Sequence, residues 1–494
     1  MIQANVNASQ PLEAKRWWAL SVLLLGTFMV ILDSFIVNVA IPSIQSQLQA
    51  SSTQIQFIVA AYVLSYAVLL IPGARIGDWI GRKKSFILGM ILFVAASALC
   101  GFATGAPFLI FSRVIQGIGA AILIPQVLSI IHVIFPPEEK GKAIGLYGAV
   151  SGLGLIAGQI VGGMLLHFDA LGLGWRSVFL INIPIGLLAV LLIIPLVQEN
   201  RSSAKKNIDV WGIVLLTCSL LLCIYPMVVG REAGWPLWVY ASFLGGIAFL
   251  LAFVWHEKKL LRSGKSPLIP VAIFQERSFT VGVLALIAFQ LGNSGFFLTV
   301  SITLQDGLML SPMQSAAAFM PIGIAFFAAS LLAPKWLNRA GTAVLKWGAW
   351  LMAAGYAAVI WFINAGGAAL DWLPLLIPFL LIGWGQGLVA SPLMKTILSG
   401  IPSQYAGSAS GVLTTCMQTA NVLGVAVIGT IFFSFLTGHG TEPYMHAFVI
   451  ALVCSIALSI VTFLFILGLQ NRQKAGRLMT RRAHRPSPHG GDHF

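Results

Sequence analysis

Apolar residues run along this chain in long unbroken stretches, divided by short clusters of charge, glycine and proline. Neither the alternation of a half-buried strand nor the narrow stripe of a soluble helix prevails. A helix rises about 1.5 Å per residue, so roughly 20 apolar residues cross a hydrocarbon layer of about 30 Å. Fourteen stretches reach that length, at about 17–41, 54–72, 85–103, 107–133, 141–166, 176–197, 209–229, 237–256, 279–303, 313–333, 345–364, 372–396, 406–435 and 445–469. The pattern predicts an all-α integral membrane protein with 14 transmembrane helices.

Composition agrees. Of 494 residues, 58% are hydrophobic and 9% charged, too little polarity to coat a soluble globule of this length. The formal charge is +14. Its basic residues sit between apolar runs, where they report topology and not a nucleic-acid partner. If both termini are cytoplasmic, only Arg176 and Arg231 among the 29 Lys and Arg fall outside, and only Arg113 falls within the membrane. That asymmetry supports an even number of crossings. The first run is longer than a signal-peptide core and is kept as a span. Cys100, Cys218, Cys223, Cys416 and Cys454 lie in or beside apolar runs without ligand spacing, so no disulfide framework, metal site or cofactor is implied.

One position breaks the first run. Asp33 is its only acid, and an ionised side chain in hydrocarbon costs at least about 2.5–3.5 kcal/mol on insertion scales. Counting from Pro42 puts Asp33 roughly 13 Å below the outer end of its helix, and counting from Pro107 puts Arg113 roughly 9 Å below the same surface. The two charges share a level. Burial favours the protonated carboxyl while a nearby guanidinium favours the ionised one, so their separation is a means of loading and releasing a proton. A static pair that locks two helices is the simpler alternative.

The chain also repeats itself. Phe135-Pro136 with Gly141 to Gly145 returns as Ile401-Pro402 with Gly407 to Gly411, and Gln116-Gly117 returns as Gln386-Gly387. Asp78 and Gly81 meet Asn338 and Gly341, and Asp33-Ser34 meets Asn293-Ser294. The expected organisation is a cytoplasmic N-tail 1–16, a six-helix bundle 17–200, two extra helices 209–256, a cytoplasmic linker 257–278, a second six-helix bundle 279–470 and a basic cytoplasmic tail 471–494. That tail is short of apolar residues, which points to an unstructured segment.

Several motifs follow one another in order. They are Leu32-Asp33-Ser34 with Asn38-Val39-Ala40-Ile41-Pro42, the loop Gly77-Asp78-Trp79-Ile80-Gly81-Arg82-Lys83-Lys84, and Arg113 with Gln116-Gly117-Ile118-Gly119-Ala120-Ala121. The glycines of the fifth run and Trp175-Arg176 with Phe179, Asn182, Pro184 and Gly186 complete the set. Together they resemble the major facilitator superfamily, in its fourteen-span drug:proton antiporter branch, over nearly the whole chain. The resemblance implies two pseudo-symmetric bundles, a substrate site between them near the midplane, and the bacterial cytoplasmic (inner) membrane. It also implies proton coupling at Asp33 and Arg113, and an inner gate locked by the loop of Gly77, Asp78, Gly81 and Arg82. Asp78 is further suited to cap the third helix and neutralise Arg82.

Two positions depart from the family pattern. Ala74 stands where a leading glycine is expected, and Gln159 stands where the antiporters carry proline. Gly154, Gly158, Gly162 and Gly163 give the fifth helix small residues for close approach, so any bend must come from glycine.

Candidate substrate-binding residues are the membrane-depth polar side chains Asn38, Gln116, Gln290, Asn293, Gln386, Gln418 and Asn421. Each is equally able to bond a neighbouring helix. With one membrane carboxylate, the chain suits neutral or monocationic lipophilic substrates. The expected function is export of lipophilic drugs or toxic small molecules in exchange for protons, by alternating access. A proton symporter importing a small metabolite is the alternative. Beyond substrate, protons and the lipid bilayer, a periplasmic adaptor protein is left open as a partner. His132, His167 and His256 sit at helix ends without acidic partners, and no phosphate-binding loop appears, so neither an intramembrane enzyme nor an ATP-driven pump is expected.

Overall fold

The computed structural model describes residues 6–169, 172–199, 209–230, 233–264, 267–269, 271–366, 371–398, 401, 406–438 and 440–483. Their regular structure is helical throughout. A bilayer requires this, because a helix satisfies its backbone polar groups internally. Fourteen helices are long and apolar enough to cross a membrane. In chain order they are α1 (Val6–Leu48), α2 (Ser52–Ile80), α3 (Arg82–Gly101), α4 (Ala106–Ile134), α5 (Pro137–Phe168), α6 (Gly174–Leu196) and α7 (Val210–Val229). There follow α8 (Leu237–Arg262), α9 (Arg277–Ile302), α10 (Pro312–Ala340), α11 (Ala343–Gly366), α12 (Leu376–Leu398), α13 (Ala406–Phe435) and α14 (Thr441–Ala483).

Each helix coincides with one apolar run, and the differences lie at the ends. α1 continues through Pro42 to Leu48, and α14 continues to Ala483 where composition points to an unstructured tail. His484, His489 and His493 lie outside the described residues. α8 runs past His256, and a π-turn over Thr303–Gly307 prolongs α9, so Glu257 and Asp306 both fall within candidate spanning helices. Both stand near the ends of those helices, whereas Asp33 stands in the middle of α1.

The two halves repeat one packing plan. In α1–α6, helix α4 lies against α2 and α3, and α1 lies against α5 and α6; in α9–α14, helix α12 lies against α10 and α11, and α9 lies against α13 and α14. Glycine makes the closest crossings. A Cβ on Gly117 of α4 would strike the Tyr62 carbonyl of α2, and one on Gly387 of α12 would lie 2.5 Å from the Phe326 carbonyl of α10. The halves meet along α2–α13 and α5–α10, while α7 rests on α2 and α13 with α8 packed against it.

Contacts between the halves gather at one end. Ser301 donates to the Asn38 carbonyl at 2.6 Å, and Gln305 donates to the Val39 carbonyl at 3.1 Å. The rings of Phe35 and Phe297 lie 5.6 Å apart, and Gly163 packs directly on Ala316. Toward the other end of α5, Gly145 and Gly148 are exposed, and a Cβ at either would meet nothing within 4 Å. The bundles are closed at the end carrying residues 49–51 and parted at the end carrying Gly81.

Candidate functional site

Asp33 and Arg113 are fully buried inside the first bundle. Arg113 Nη1 donates to Asp33 Oδ2 at 2.6 Å and to Gln116 Oε1 at 2.7 Å. Asp33 Oδ1 accepts from Gln116 Nε2 and from Asn182 Nδ2, each at 2.8 Å. Ser97 ties the two amides together, accepting from Gln116 at 2.7 Å and from Asn182 at 3.2 Å. Arg113 Nε donates to the Ile58 carbonyl at 3.1 Å, and the guanidinium carbon lies 4.2 Å from the Tyr62 ring centroid and 5.7 Å from that of Phe179. Three N–H groups thus converge on one carboxyl, the donor set of a carboxylate. Oδ1 accepts two of these bonds and Oδ2 one, so three of the four acceptor positions are filled.

Four helices bring the cluster together. α1 supplies Asp33, α3 Ser97, α4 Arg113 and Gln116, and α6 Asn182. Arg113 and Gln116 are three residues apart on one helical face, so both reach the same acid. Gln116, expected in a substrate cavity, is a direct partner of Asp33. Ser97 escapes sequence reading because a lone serine in an apolar helix carries no spacing signal. Asn182 lies within the motif around Trp175, but no interval in the sequence connects it to Asp33.

The glycines expected on α5 press it onto α1 beside the acid. A Cβ on Gly154 would lie 3.0 Å from Ile31, one on Gly158 2.9 Å from the Leu32 carbonyl, and one on Gly162 2.9 Å from Ile36. Gly163 faces the other bundle. Gln159, buried where the halves meet, donates to the Phe35 carbonyl at 3.3 Å.

The expected loop is almost entirely helical, with Gly77 and Asp78 in the last turn of α2 and only Gly81 between α2 and α3, and the capping differs from expectation too. Glu199, beyond the end of α6, caps α3 by accepting from the Lys83 amide at 3.2 Å and the Lys84 amide at 3.1 Å. Asp78 makes no ion pair or hydrogen bond among the described residues, and Arg82 donates to the Ser129 carbonyl at 3.2 Å instead of pairing with it. Gly81 has φ of +107°, a conformation that favours glycine, and its amide bonds the Gly77 carbonyl.

The other expected cavity residues divide into two sets. Gln290 donates to Asn421 at 3.3 Å and Asn421 donates to Gln418 at 3.0 Å, a chain joining α9 to α13. Asn293 Oδ1 is buried and unpaired among the described residues, and the buried amide of Gln386 lies beside the buried hydroxyl of Tyr356. Asn38 is buried and its side chain likewise bonds nothing described. His256, expected to lack acidic partners, lies 2.8 Å from Asp209.

Two like bundles, closed together at one end and parted at the other, with an acid–cation cluster sealed in one and buried amides in the other, define a membrane transporter and not an enzyme. The chain belongs to the Major Facilitator Superfamily, which matches residues 23–425. It is 38% identical to the "Probable actinorhodin transporter" of Streptomyces coelicolor over 88% of this chain and 75% of that protein. It is 33% identical to the puromycin resistance protein of Streptomyces alboniger over 92% of this chain and 91% of that one. Among solved structures, an inward-facing bacterial homologue of the lysosomal transporter Spinster shares the fold, with a TM-score of 0.66 at 16% identity over 92% of this chain and 98% of that chain.

Proposed function

We propose that the protein exports small lipophilic or monocationic molecules across the bacterial cytoplasmic membrane in exchange for protons, with both termini in the cytoplasm. The observation that carries the reading is the sealed cluster of Asp33, Arg113, Gln116 and Asn182. The likeness to antibiotic transport and resistance proteins supports export, and the distribution of basic residues supports the orientation. A proton arriving at Asp33 removes the negative charge that holds Arg113, loosening α1 from α4. The glycine contacts pass that movement from α1 to α5, which also packs against α10 of the second bundle. Substrate enters between the parted ends and meets the polar groups of Asn293 and Gln386. Asp78 stands unpaired on the parted side, free to engage the opposite half when that side closes.

Purified protein in liposomes, loaded with a fluorescent lipophilic cation and given an imposed pH gradient, tests the proposal. Dye should move opposite to the proton flux and stop when an uncoupler is added. Dye movement in the direction of the proton flux would establish the import alternative.

A further inference from the structure

The α7–α8 hairpin holds a second buried acidic site. Asp209 caps α7, accepting from the Gly212 amide at 3.0 Å, and its Oδ1 lies 2.8 Å from His256 Nε2 of α8. Glu257, the next residue of α8, is fully buried, and its Oε2 accepts from the Ile269 amide of the linker at 2.6 Å. Asp209 Oδ2 and Glu257 Oε1 are also buried, and neither meets a donor among the described residues. Both crowd the same space beside Gly212, where a Cβ would strike the aspartate and lie 2.9 Å from the glutamate. Donor atoms of Asp209, His256 and Glu257 all fall within 4.8 Å of one another. Two facing carboxyl oxygens without a donor need a positive charge between them, either a proton or a cation.

We propose that Asp209, His256 and Glu257 form a binding site for a divalent cation of the zinc type. One imidazole nitrogen and two carboxylate oxygens form a donor set suited to that ion and leave a coordination position for water. Gly212 leaves the space open. The ion would replace a proton shared by the carboxyls and join three segments: the start of α7, the end of α8, and the linker at Ile269 that leads into the second bundle. The site lies apart from Asp33 and needs no part of the export reading to be correct.

Zinc binding to the full-length protein tests the site, with a tag that contains no histidine and with His484, His489 and His493 replaced by alanine. One Zn²⁺ should be retained per chain by elemental analysis, with a rise in melting temperature. His256→Ala should weaken zinc, in competition with a chromogenic chelator, by at least about tenfold, and should abolish the thermal gain; Glu257→Gln should do the same. His256 is partly exposed, so its variant decides the matter if Glu257→Gln does not fold. Absence of zinc from the parent, or equal affinity in parent and His256→Ala, overturns the proposal and leaves a proton-bridged carboxyl pair.

Discussion

Asp33→Asn tests the coupling argument most directly. The substitution keeps the volume but not the acceptor pattern. With its amide nitrogen in the Oδ2 position, asparagine presents a donor to Arg113 Nη1 at a site only 2.6 Å away; flipped, it presents that donor to Gln116 and Asn182. Either orientation leaves the guanidinium without its anion, and removing one partner of a buried pair costs about 3–5 kcal/mol. Arg113 keeps the Ile58 carbonyl, the Gln116 oxygen and the Tyr62 ring, so the variant should insert and fold with a lowered melting temperature. Asp33→Asn combined with Arg113→Gln removes the stranded charge and should regain stability without regaining coupling. With one proton exchanged per substrate, each pH unit of gradient is worth about 1.4 kcal/mol and sustains roughly a tenfold substrate ratio. In liposomes that ratio should fall to one in Asp33→Asn while substrate exchange without a gradient persists. Undiminished accumulation driven by the pH gradient would refute the reasoning.

Other substitutions separate packing from gating. Gly158→Val forces atoms into the Leu32 carbonyl and Phe35, costing about 1–3 kcal/mol in thermal unfolding, whereas Gly145→Ala meets open space and should gain up to about 1 kcal/mol. Glu199→Ala uncaps α3 and should cost about 0.5–2 kcal/mol. Asp78→Asn, which breaks no bond here, should leave the melting temperature unchanged while slowing efflux; unchanged efflux would remove Asp78 from the gate. Tyr62→Phe keeps a ring over Arg113 and should keep coupling, while Tyr62→Ala loses a contact worth up to about 2 kcal/mol and should weaken both stability and coupling.

The apolar runs made the fourteen crossings legible because hydrocarbon thickness sets a minimum helix length. They marked helix ends less well. Pro42 is a natural stop in a soluble helix, yet α1 passes through it, since backbone groups freed by proline in a membrane helix are satisfied by neighbouring groups. Glu257 stayed hidden because charge after His256 suggested a loop, when it continues α8 by more than a turn. The Asp33–Arg113 meeting was legible from depth alone. The Glu199 cap was not, because it joins positions more than a hundred residues apart that only the closing of α6 onto α3 brings together.

The repeat explains why one half carries the charge. Aligning Gln116-Gly117 with Gln386-Gly387 places Gly383 where the first half has Arg113. Any Cβ at Gly383 would overlap the Ile322 carbonyl of α10, so the second bundle has no room for a cation at that register. An acid at the position aligned with Asp33 would accordingly be unpaired, and Asn293 stands there with a buried oxygen that bonds nothing described. Asn293→Asp should therefore not create a second coupling site. A buried carboxyl without a counter-charge takes the neutral form, so the ratio of protons to substrate, measured from paired flux in liposomes, should stay at its parent value while apparent substrate affinity changes. A higher proton ratio in Asn293→Asp would mean that a carboxyl can load and release protons there without an arginine, and the role assigned to Arg113 would fall with it.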